Sequence, residues 1–279
     1  MSSLHLIGRR TFLADMGRGA FALAVVTFAG CGPSGGSGRG SSPSASRAAG
    51  SASPAPDDSG SAAPGGASGS AGSAPPAGGD GGDGAVAWER VDLGFVSAYV
   101  LARAGEAAIV DTGVEGSADA IEESLAGAGL DWSAVAHLIL THHHGDHVGS
   151  AADVLERAPD ATGYAGAEDI GSISVPRPLT AVGDGEDVFG LRIVTTPGHT
   201  AGSICVLDPV GGILVAGDAL GTNGGRPSLP AAQFTADMGQ AKQSIVKLGG
   251  LSFETLLVGH GEPIEGGASR AVAELGAAG

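Results

Sequence analysis

Hydrophobic and polar residues follow regular spacings from about residue 85 onward, and these spacings predict strands and helices. Short apolar runs bounded by turn residues predict strands at FVSAYVLA, AAIVDTG, AHLILT, LRIVTT, SICVLD, GGILVAGD and FETLLVGH. Apolar residues three and four positions apart predict helices at SADAIEESLAGAGL, HVGSAADVLERA, TADMGQAKQSIVKLGGL and GASRAVAELG. Ser117 and Thr235 are the expected N-caps of two of these helices, with Asp119 and Asp237 in their first turns.

The order of these elements predicts the architecture of the domain. The early strands follow one another through hairpin-like turns, whereas the later strands alternate with helices. Two sheets with helices on their outer faces satisfy this order. We therefore expect one domain over residues 85–279, with an α/β fold arranged as a four-layer αβ/βα sandwich.

Residues 1–31 have the layout of an export signal. Arg9 and Arg10 precede a short apolar run over residues 20–29, and small residues lead to Cys31. The run is about half of the ~20 residues that a membrane-spanning helix needs. This stretch resembles a twin-arginine (Tat) signal that ends in a lipobox. The resemblance implies that Cys31 carries a lipid and anchors an exported cell-envelope lipoprotein to the outer face of the membrane; simple secretion is the alternative.

Residues 32–84 consist almost entirely of Gly, Ser, Ala and Pro, without any Leu, Ile, Val or aromatic residue. Such a composition has nothing to bury that would offset the entropy of ordering the chain. It predicts a disordered tether with a root-mean-square reach of about 40 Å. Because it directly follows Cys31, the tether would hold the domain away from a membrane; a mere low-complexity insertion is the alternative reading.

Charge and cysteine content restrict the functions that the domain can have. It contains nine Lys and Arg against 25 Asp and Glu, a formal charge of −16. Such a charge repels polyphosphate backbones, so nucleic acid is not expected as a substrate or partner. Cys205 is the domain's single cysteine and lies in an alternating strand pattern, which predicts a core residue rather than a nucleophile.

The segment THHHGDH, residues 141–147, is the clearest candidate for chemistry. It leaves the carboxyl end of the predicted strand AHLIL, where α/β folds usually place their sites. Side chains two positions apart in an extended chain point the same way, so His142 and His144 should face one point and His143 the opposite side. Imidazole and carboxylate side chains together suit zinc, iron or manganese.

Further candidate metal ligands come from the same loop and from other strand ends. Gly145 is expected to turn the chain sharply, which would bring Asp146 and His147 close to the first two histidines. A metal needs more ligands than one loop supplies, and further candidates follow three other predicted strands. These candidates are His199 in PGHTAGS, Asp218 in AGDAL and His260 in VGHGEP.

Together these motifs resemble those of the metallo-β-lactamase fold superfamily of metallohydrolases over residues 86–265. The resemblance implies two divalent metal ions per chain, zinc in the first place, with iron or manganese as alternatives. The implied ligands are His142, His144 and His199 for the first metal and Asp146, His147 and His260 for the second. Asp218 would bridge the two metals, and Asp111 in IVDTG would orient ligands through hydrogen bonds. His143 is not a ligand in this family.

The resemblance also implies a reaction. Two neighbouring cations lower the pKa of a water between them, and the resulting hydroxide attacks a carbonyl carbon. Asp146 would be the catalytic residue that aims this hydroxide. We therefore expect a dinuclear metal-dependent hydrolase that cleaves an ester, thioester or lactone bond of a small molecule.

Several features indicate which branch of the superfamily the chain resembles. Lactamases of the family have cysteine or serine where Asp218 stands, so we do not expect β-lactam hydrolysis. THHHGDHVGS and AGDAL resemble the glyoxalase II branch, which cleaves thioesters. Glyoxalase II has an additional helical domain that holds glutathione, whereas 19 residues follow His260 here, so a glutathione thioester is not expected. Lactonases share the seven ligands.

Other functions on the same fold stay open at this point. One is an oxidoreductase similar to the mononuclear iron persulfide dioxygenases, which uses few of these ligands. Another is a non-catalytic surface module that holds zinc, although structural zinc sites are usually closed, four-coordinate and rich in cysteine. A flavin-linked redox protein on this fold would need an attached flavin domain.

Overall fold

The computed structural model describes residues 84–278. The expected export signal with Cys31 lies outside the described residues, and so does the expected tether apart from Gly84. No helix within the described range is long and apolar enough to cross a membrane.

The first sheet has six strands, and their order in space equals their order in the chain. They are β1 (Ala87–Asp92), β2 (Ser97–Arg103), β3 (Glu106–Val110), β4 (Val135–Leu140), β5 (Thr162–Gly166) and β6 (Thr180–Val182). Strands β1 to β3 form an antiparallel meander, whereas β3 to β6 run parallel to one another. The carboxyl ends of β3 and β4 therefore lie side by side at one edge of the sheet.

The second sheet also has six strands, in the order β14-β13-β10-β9-β8-β7. They are β7 (Asp187–Val188), β8 (Leu191–Thr195), β9 (Ile204–Asp208), β10 (Ile213–Val215), β13 (Thr255–Leu257) and β14 (Ile264–Glu265). Only β10 and β13 pair in parallel. A separate hairpin joins β11 (Gly221–Asn223) and β12 (Arg226–Ser228).

Residues 84–278 contain five helices. They are α1 (Ala118–Gly127), α2 (Gly145–Val148), α3 (Ala151–Arg157), α4 (Met238–Gly249) and α5 (Ala268–Ala278). Three single 3-10 turns span Trp132–Ala134, Ile170–Ser172 and Ala232–Phe234.

Three apolar clusters show how the layers pack. Tyr99 and Leu101 of the first sheet meet Val206 and Ile213 of the second in an inner core between the sheets. Helices α1 and α3 cover the outer face of the first sheet, and α4 and α5 cover the outer face of the second. The expected four-layer αβ/βα sandwich is therefore confirmed.

The helix predicted over HVGSAADVLERA is broken into α2 and α3. At the break, the N–H of Gly149 donates to the Gly113 oxygen at 2.8 Å, which ties the turn to the loop after β3. A Cβ atom on Gly149 would lie 2.4 Å from the backbone nitrogen of Glu115, so only glycine fits here. The Ser150 hydroxyl makes a second tie by donating to the Val114 oxygen at 2.7 Å.

The expected N-caps are only partly right. Ser117 does occupy the N-cap of α1, although its side chain makes no capping hydrogen bond. Helix α4 is capped by Asp237, whose carboxylate accepts from the Gln240 N–H at 2.9 Å. The prediction of Thr235 as this cap is wrong, because the helix begins at Met238 and the Thr235 hydroxyl donates to the Ala231 oxygen instead.

Candidate metal centre

Loops that follow four different strands bring the predicted ligand residues together. The loop after β4 supplies His142, His144, Asp146 and His147, and the loops after β8, β10 and β13 each supply one residue. Those three are His199, Asp218 and His260. Six of the seven, all except Asp218, belong to two groups of three whose donor atoms lie within 4.8 Å of one another. His142 and His147 form a third such group with Asp111.

The first group consists of His142, His144 and His199. Nδ1 of His144 lies 3.1 Å from Nε2 of His142 and 2.9 Å from Nε2 of His199. Tetrahedral zinc with Zn–N bonds of 2.0–2.1 Å separates its nitrogen ligands by about 3.3 Å. The three ring nitrogens thus already have nearly the spacing that one bound ion requires.

Burial keeps these three imidazoles neutral. It holds the pKa of His142 well below its usual value and lowers the pKa of His199 to about 4. The pKa of the half-buried His144 is lowered for the same reason. A neutral imidazole offers a lone pair to a metal, so the group is in the protonation state that a ligand needs.

The second group consists of Asp146, His147 and His260. Nε2 of His260 lies 3.3 Å from Oδ2 of Asp146. Both imidazoles use Nδ1 for an outside hydrogen bond, His147 with Asp111 at 2.8 Å and His260 with the Phe95 oxygen at 2.6 Å. These bonds hold both rings so that Nε2 faces the centre, where it can give up its proton to a metal.

Asp218 lies between the two groups. Its Oδ1 is 3.3 Å from Nε2 of His147, and its Oδ2 is 3.3 Å from Nε2 of His260 and 3.5 Å from Nε2 of His199. Burial would raise the pKa of this carboxyl, but the adjacent imidazoles of His147 and His260 hold the pKa below its usual range. Asp218 is therefore a carboxylate that reaches both groups.

The donor set fits a bound metal. Nε2 of His147 and Oδ1 of Asp218 are buried and have no hydrogen-bond partner among the described residues. Buried polar atoms normally have partners, so a ligand that pairs with both would resolve the deficit. A Cβ on Gly259 would lie 2.4 Å from this Oδ1 and from Cε1 of His147, so glycine leaves the space that such a ligand needs.

Asp111 orients this centre from the end of β3. Its Oδ1 accepts from the Thr141 N–H, and its Oδ2 accepts from the Thr141 hydroxyl, both at 2.7 Å. Oδ2 also faces Nδ1 of His147. Burial alone would lower the pKa of His147, but Asp111 and Asp218 raise it to about 10. Asp111 has a left-handed backbone (φ 61°), a conformation that non-glycine residues rarely adopt and that often marks functional sites.

Asp169 connects two of the ligand loops, a role for which the sequence carries no motif. This buried carboxylate accepts from the His143 N–H at 3.1 Å and from the Gly202 N–H at 2.9 Å. It also accepts from the Thr200 hydroxyl at 2.6 Å. The loop after β4 and the loop after β8 are therefore held together by one side chain.

Other residues near the centre differ in part from the predictions. His143 points away from the metal groups, as expected, and its Nδ1 lies 3.1 Å from Oδ2 of Asp169. The chain changes direction at Gly145 as expected, because extended His144 gives way there to helix α2, although Gly145 has no positive φ and a Cβ there would meet nothing within 4 Å. The hydroxyl of Thr235, which was expected to cap α4, lies 3.3 Å from Nδ1 of His199.

Cys205 lies in β9 and is completely buried, as predicted for a core residue. Burial raises the pKa of its thiol to about 12. A thiol of this kind stays protonated near neutral pH and is a poor nucleophile.

A cavity of about 740 Å³ opens beside the metal centre. Its lining includes His144, Asp146, Asp218 and His260. Most of the remaining lining comes from the loop that contains Phe95 and from the segment that runs through the β11–β12 hairpin to Phe234. The volume lies within the range of about 300–1,000 Å³ that is usual for small-molecule sites.

Comparisons with known proteins agree with this geometry. A sequence profile of the metallo-beta-lactamase superfamily matches residues 91–260, which include all seven candidate ligands. The uncharacterized protein YobT of Bacillus subtilis (strain 168) is 28% identical over 197 residues, which span 60% of this chain and 83% of YobT.

Solved structures share the fold. The metallo-beta-lactamase family protein TTHA1429 from Thermus thermophilus is 26% identical, with a TM-score of 0.56 over 69% of this chain and 78% of its own. TTHA1623 in a di-iron-bound form is 25% identical, with a TM-score of 0.53 over 65% of this chain and 92% of its own. The profile match extends over more than half of the residues and contains the whole candidate centre, so the chain belongs to the metallo-β-lactamase superfamily, whose fold is that of metal-binding hydrolases.

Proposed function

We propose that this chain hydrolyses an ester, thioester or lactone bond of a small molecule and uses two divalent metal ions, as in the glyoxalase II-like branch. The observation that carries the proposal is the position of Asp218, which lies within 3.5 Å of ligand nitrogens in both groups. A carboxylate between two cations offsets their mutual repulsion and fixes their spacing. The chain thus supplies three ligands for each ion and one residue that both can share.

The residues divide the reaction between them. Two bound divalent ions would supply an activated water and polarise the carbonyl group whose carbon this water attacks. Asp146 is partly exposed and lines the cavity, where its carboxylate can accept a hydrogen bond from that water and direct it. The water oxygen bonds to the carbonyl carbon, the C–O or C–S bond breaks, and the proton passes to the departing oxygen or sulfur.

The surroundings of Asp146 suit this role. Its Oδ2 faces Nε2 of His260, whose own Nδ1 is tied to the Phe95 oxygen. The position of His260 is therefore fixed by the backbone, and Asp146 is aligned against it. Cys205 is buried in β9 and does not line the cavity, so its thiol does not compete with water as the nucleophile.

Iron is a metal to be tested beside zinc. The di-iron-bound form of TTHA1623 supports this choice, since that protein is similar to the chain in fold and in part of its sequence. The second candidate function is an oxidoreductase similar to the mononuclear iron persulfide dioxygenases, which would use only some of these ligands.

A metal-exchange experiment tests the proposed function. The protein is stripped with a chelator, reloaded with Zn²⁺, Fe²⁺ or Mn²⁺, and assayed on an ester, a lactone, a thioester and a β-lactam. We expect hydrolysis of at least one of the first three, lost on stripping and restored on reloading. Oxygen uptake with a persulfide, in the absence of any hydrolysis, would instead establish the oxidoreductase.

We also propose that the chain is an exported lipoprotein held to a membrane through Cys31, which rests on the twin-arginine and lipobox patterns of residues 1–31. The composition of residues 32–84 supports a tether between this anchor and the domain. A small molecule, rather than nucleic acid, is the proposed partner because the domain carries a formal charge of −16.

A further inference from the structure

The lining of the cavity beside the metal centre is of two chemical kinds. The titratable side chains in it are those of the metal centre. The rest forms mostly apolar walls and includes Phe95, Leu220, Leu229, Pro230, Ala231 and Phe234, with Thr222 and Ser228 from the hairpin. Within the described part of the chain, the lining contains no lysine and no arginine.

Three of the apolar side chains of these walls are unusually exposed. Phe95, Leu229 and Phe234 are 62%, 37% and 64% exposed, and they make up half of the large apolar side chains that the structure describes as exposed. Grouped exposed apolar side chains of this kind usually mark a binding site, because covering them with an apolar ligand removes them from water.

These three side chains stand on well-fixed backbone. The Phe95 oxygen faces Nδ1 of His260 at 2.6 Å, and the Phe95 ring stacks on the His260 ring with centroids 6.2 Å apart. Phe234 ends the 3-10 turn Ala232–Phe234, where its N–H donates to the Ala231 oxygen. Leu229 directly follows strand β12. The apolar wall therefore has a fixed position relative to the metal ligands.

We infer that the substrate carries an uncharged, apolar acyl chain that lies against Phe95, Leu229 and Phe234 while its carbonyl group faces Asp146 and Asp218. This inference rests on the proposed hydrolytic function and narrows its substrate class. An anionic group at the far end of the acyl chain would lose its hydration beside apolar walls without meeting a cationic side chain. The charge of −16 on the domain disfavours such a group further.

A matched set of p-nitrophenyl esters tests this inference on the metal-loaded protein. The set compares acetyl, butanoyl and octanoyl esters with the octanedioyl half-ester, which has the octanoyl length and a terminal carboxylate. Each buried methylene should raise kcat/KM by about threefold, so octanoyl, with six more methylenes than acetyl, should exceed it by roughly 700-fold. The terminal carboxylate should lower kcat/KM by about tenfold or more. Equal rates for acetyl and octanoyl esters, or a preference for the half-ester, would overturn the inference.

Three variants test which side chains cause the dependence of kcat/KM on acyl chain length. Phe234→Ala should lower the octanoyl-to-acetyl ratio of kcat/KM by about tenfold. Val246→Ala is the control, since Val246 is also exposed (59%) but lies on α4 away from the cavity, and its ratio should equal that of the wild type. Leu229→Lys should raise kcat/KM for the half-ester relative to the octanoyl ester. Equal ratios in Phe234→Ala and Val246→Ala would contradict the assigned wall.

Binding to the metal-free protein separates failure of this inference from failure of the proposed function. Calorimetry should show that octanamide binds and that Phe234→Ala weakens its binding, whereas acetamide should not bind measurably. Octanamide binding without hydrolysis of any ester would support the apolar site and refute the hydrolase. Ester hydrolysis without octanamide binding, and without dependence on chain length, would refute the apolar site and leave the hydrolase standing.

Discussion

At the scale of single residues, the metal ligands depend on side chains that touch no metal themselves. Asp111 and Thr141 hold His147 and the start of the ligand loop, whereas Asp169 holds the loops after β4 and β8 together. Partners of this kind usually contribute ten- to a hundredfold to metal affinity (about 1–3 kcal/mol). Such contributions can be measured separately from catalysis.

We expect Asp169→Asn to weaken metal binding by about tenfold or more, since an amide cannot accept all of the hydrogen bonds that Asp169 now receives. Asp208→Asn is the matched control. Asp208 is equally buried and accepts from the N–H groups of Val86, Val210 and Gly211, but it lies at the far end of β9. Isothermal titration with Zn²⁺ measures the metal affinity of both variants. An equal loss of affinity in the two variants would show that Asp169 acts only through general stability.

The metal-free protein should become less stable as pH rises from about 7 to 10. Asp111 and Asp218 raise the pKa of His147 to about 10, so the stability from this imidazolium is fully present below its unfolded pKa of about 6.5 and is lost as pH rises through 10. The pKa values of His142 and His199 are lowered, so these two side chains do not titrate between pH 7 and 10 and do not contribute to this change in stability. Thermal melting with a chelator measures the slope, which Asp111→Asn should reduce; an unchanged slope would contradict the assignment.

At the scale of secondary-structure elements, helix α4 shows how a local contact sets the start of a helix. Its N-cap is Asp237, and we expect Asp237→Ala to lower the free energy of unfolding by about 1 kcal/mol. Chemical denaturation measures this difference. Ser117→Ala is the comparison. The Ser117 side chain makes no capping bond, so its removal should not lower the free energy of unfolding through loss of a helix cap. Equal losses in both variants would argue against the capping role of Asp237.

The long apolar runs and the helical spacings were sufficient to predict the main strands, four helical regions and the layer order. Short elements such as β7 and β14 have only two residues each, too few for a periodic pattern. The break at Gly149 depends on contact with Glu115, which is distant in sequence, and the sequence of one segment does not contain such a tertiary contact. The misplaced cap has a local cause, because Thr235 and Asp237 are both possible caps and Asp237 makes the capping bond.

The candidate ligands could be found from sequence because each follows a strand and each carries a chemistry that metals prefer. Asp169 and the apolar wall could not, since a carboxylate in a loop and scattered phenylalanines have many ordinary roles. Only the fold shows that Phe95 and Phe234 line the same cavity although 138 positions separate them.

At the scale of the whole molecule, the proposed anchor can be tested separately from the domain. Cys31→Ser should release the protein from the membrane fraction and leave its hydrolytic activity unchanged, because a lipid at Cys31 would act only as an anchor. Cell fractionation followed by an activity assay measures both quantities. A variant that stays in the membrane fraction would refute attachment through Cys31.

The central claim is a pair of metal ions that share Asp218, and metal content in Asp218→Ala tests it most directly. Elemental analysis of the reloaded wild type should give about two ions per chain. The variant should fall toward one, because His142, His144 and His199 suffice for a single zinc ion. Ester hydrolysis should fall by on the order of a hundredfold or more, since both the activated water and the polarised carbonyl depend on the pair. Two ions per chain with near-normal turnover in the variant would contradict the claim.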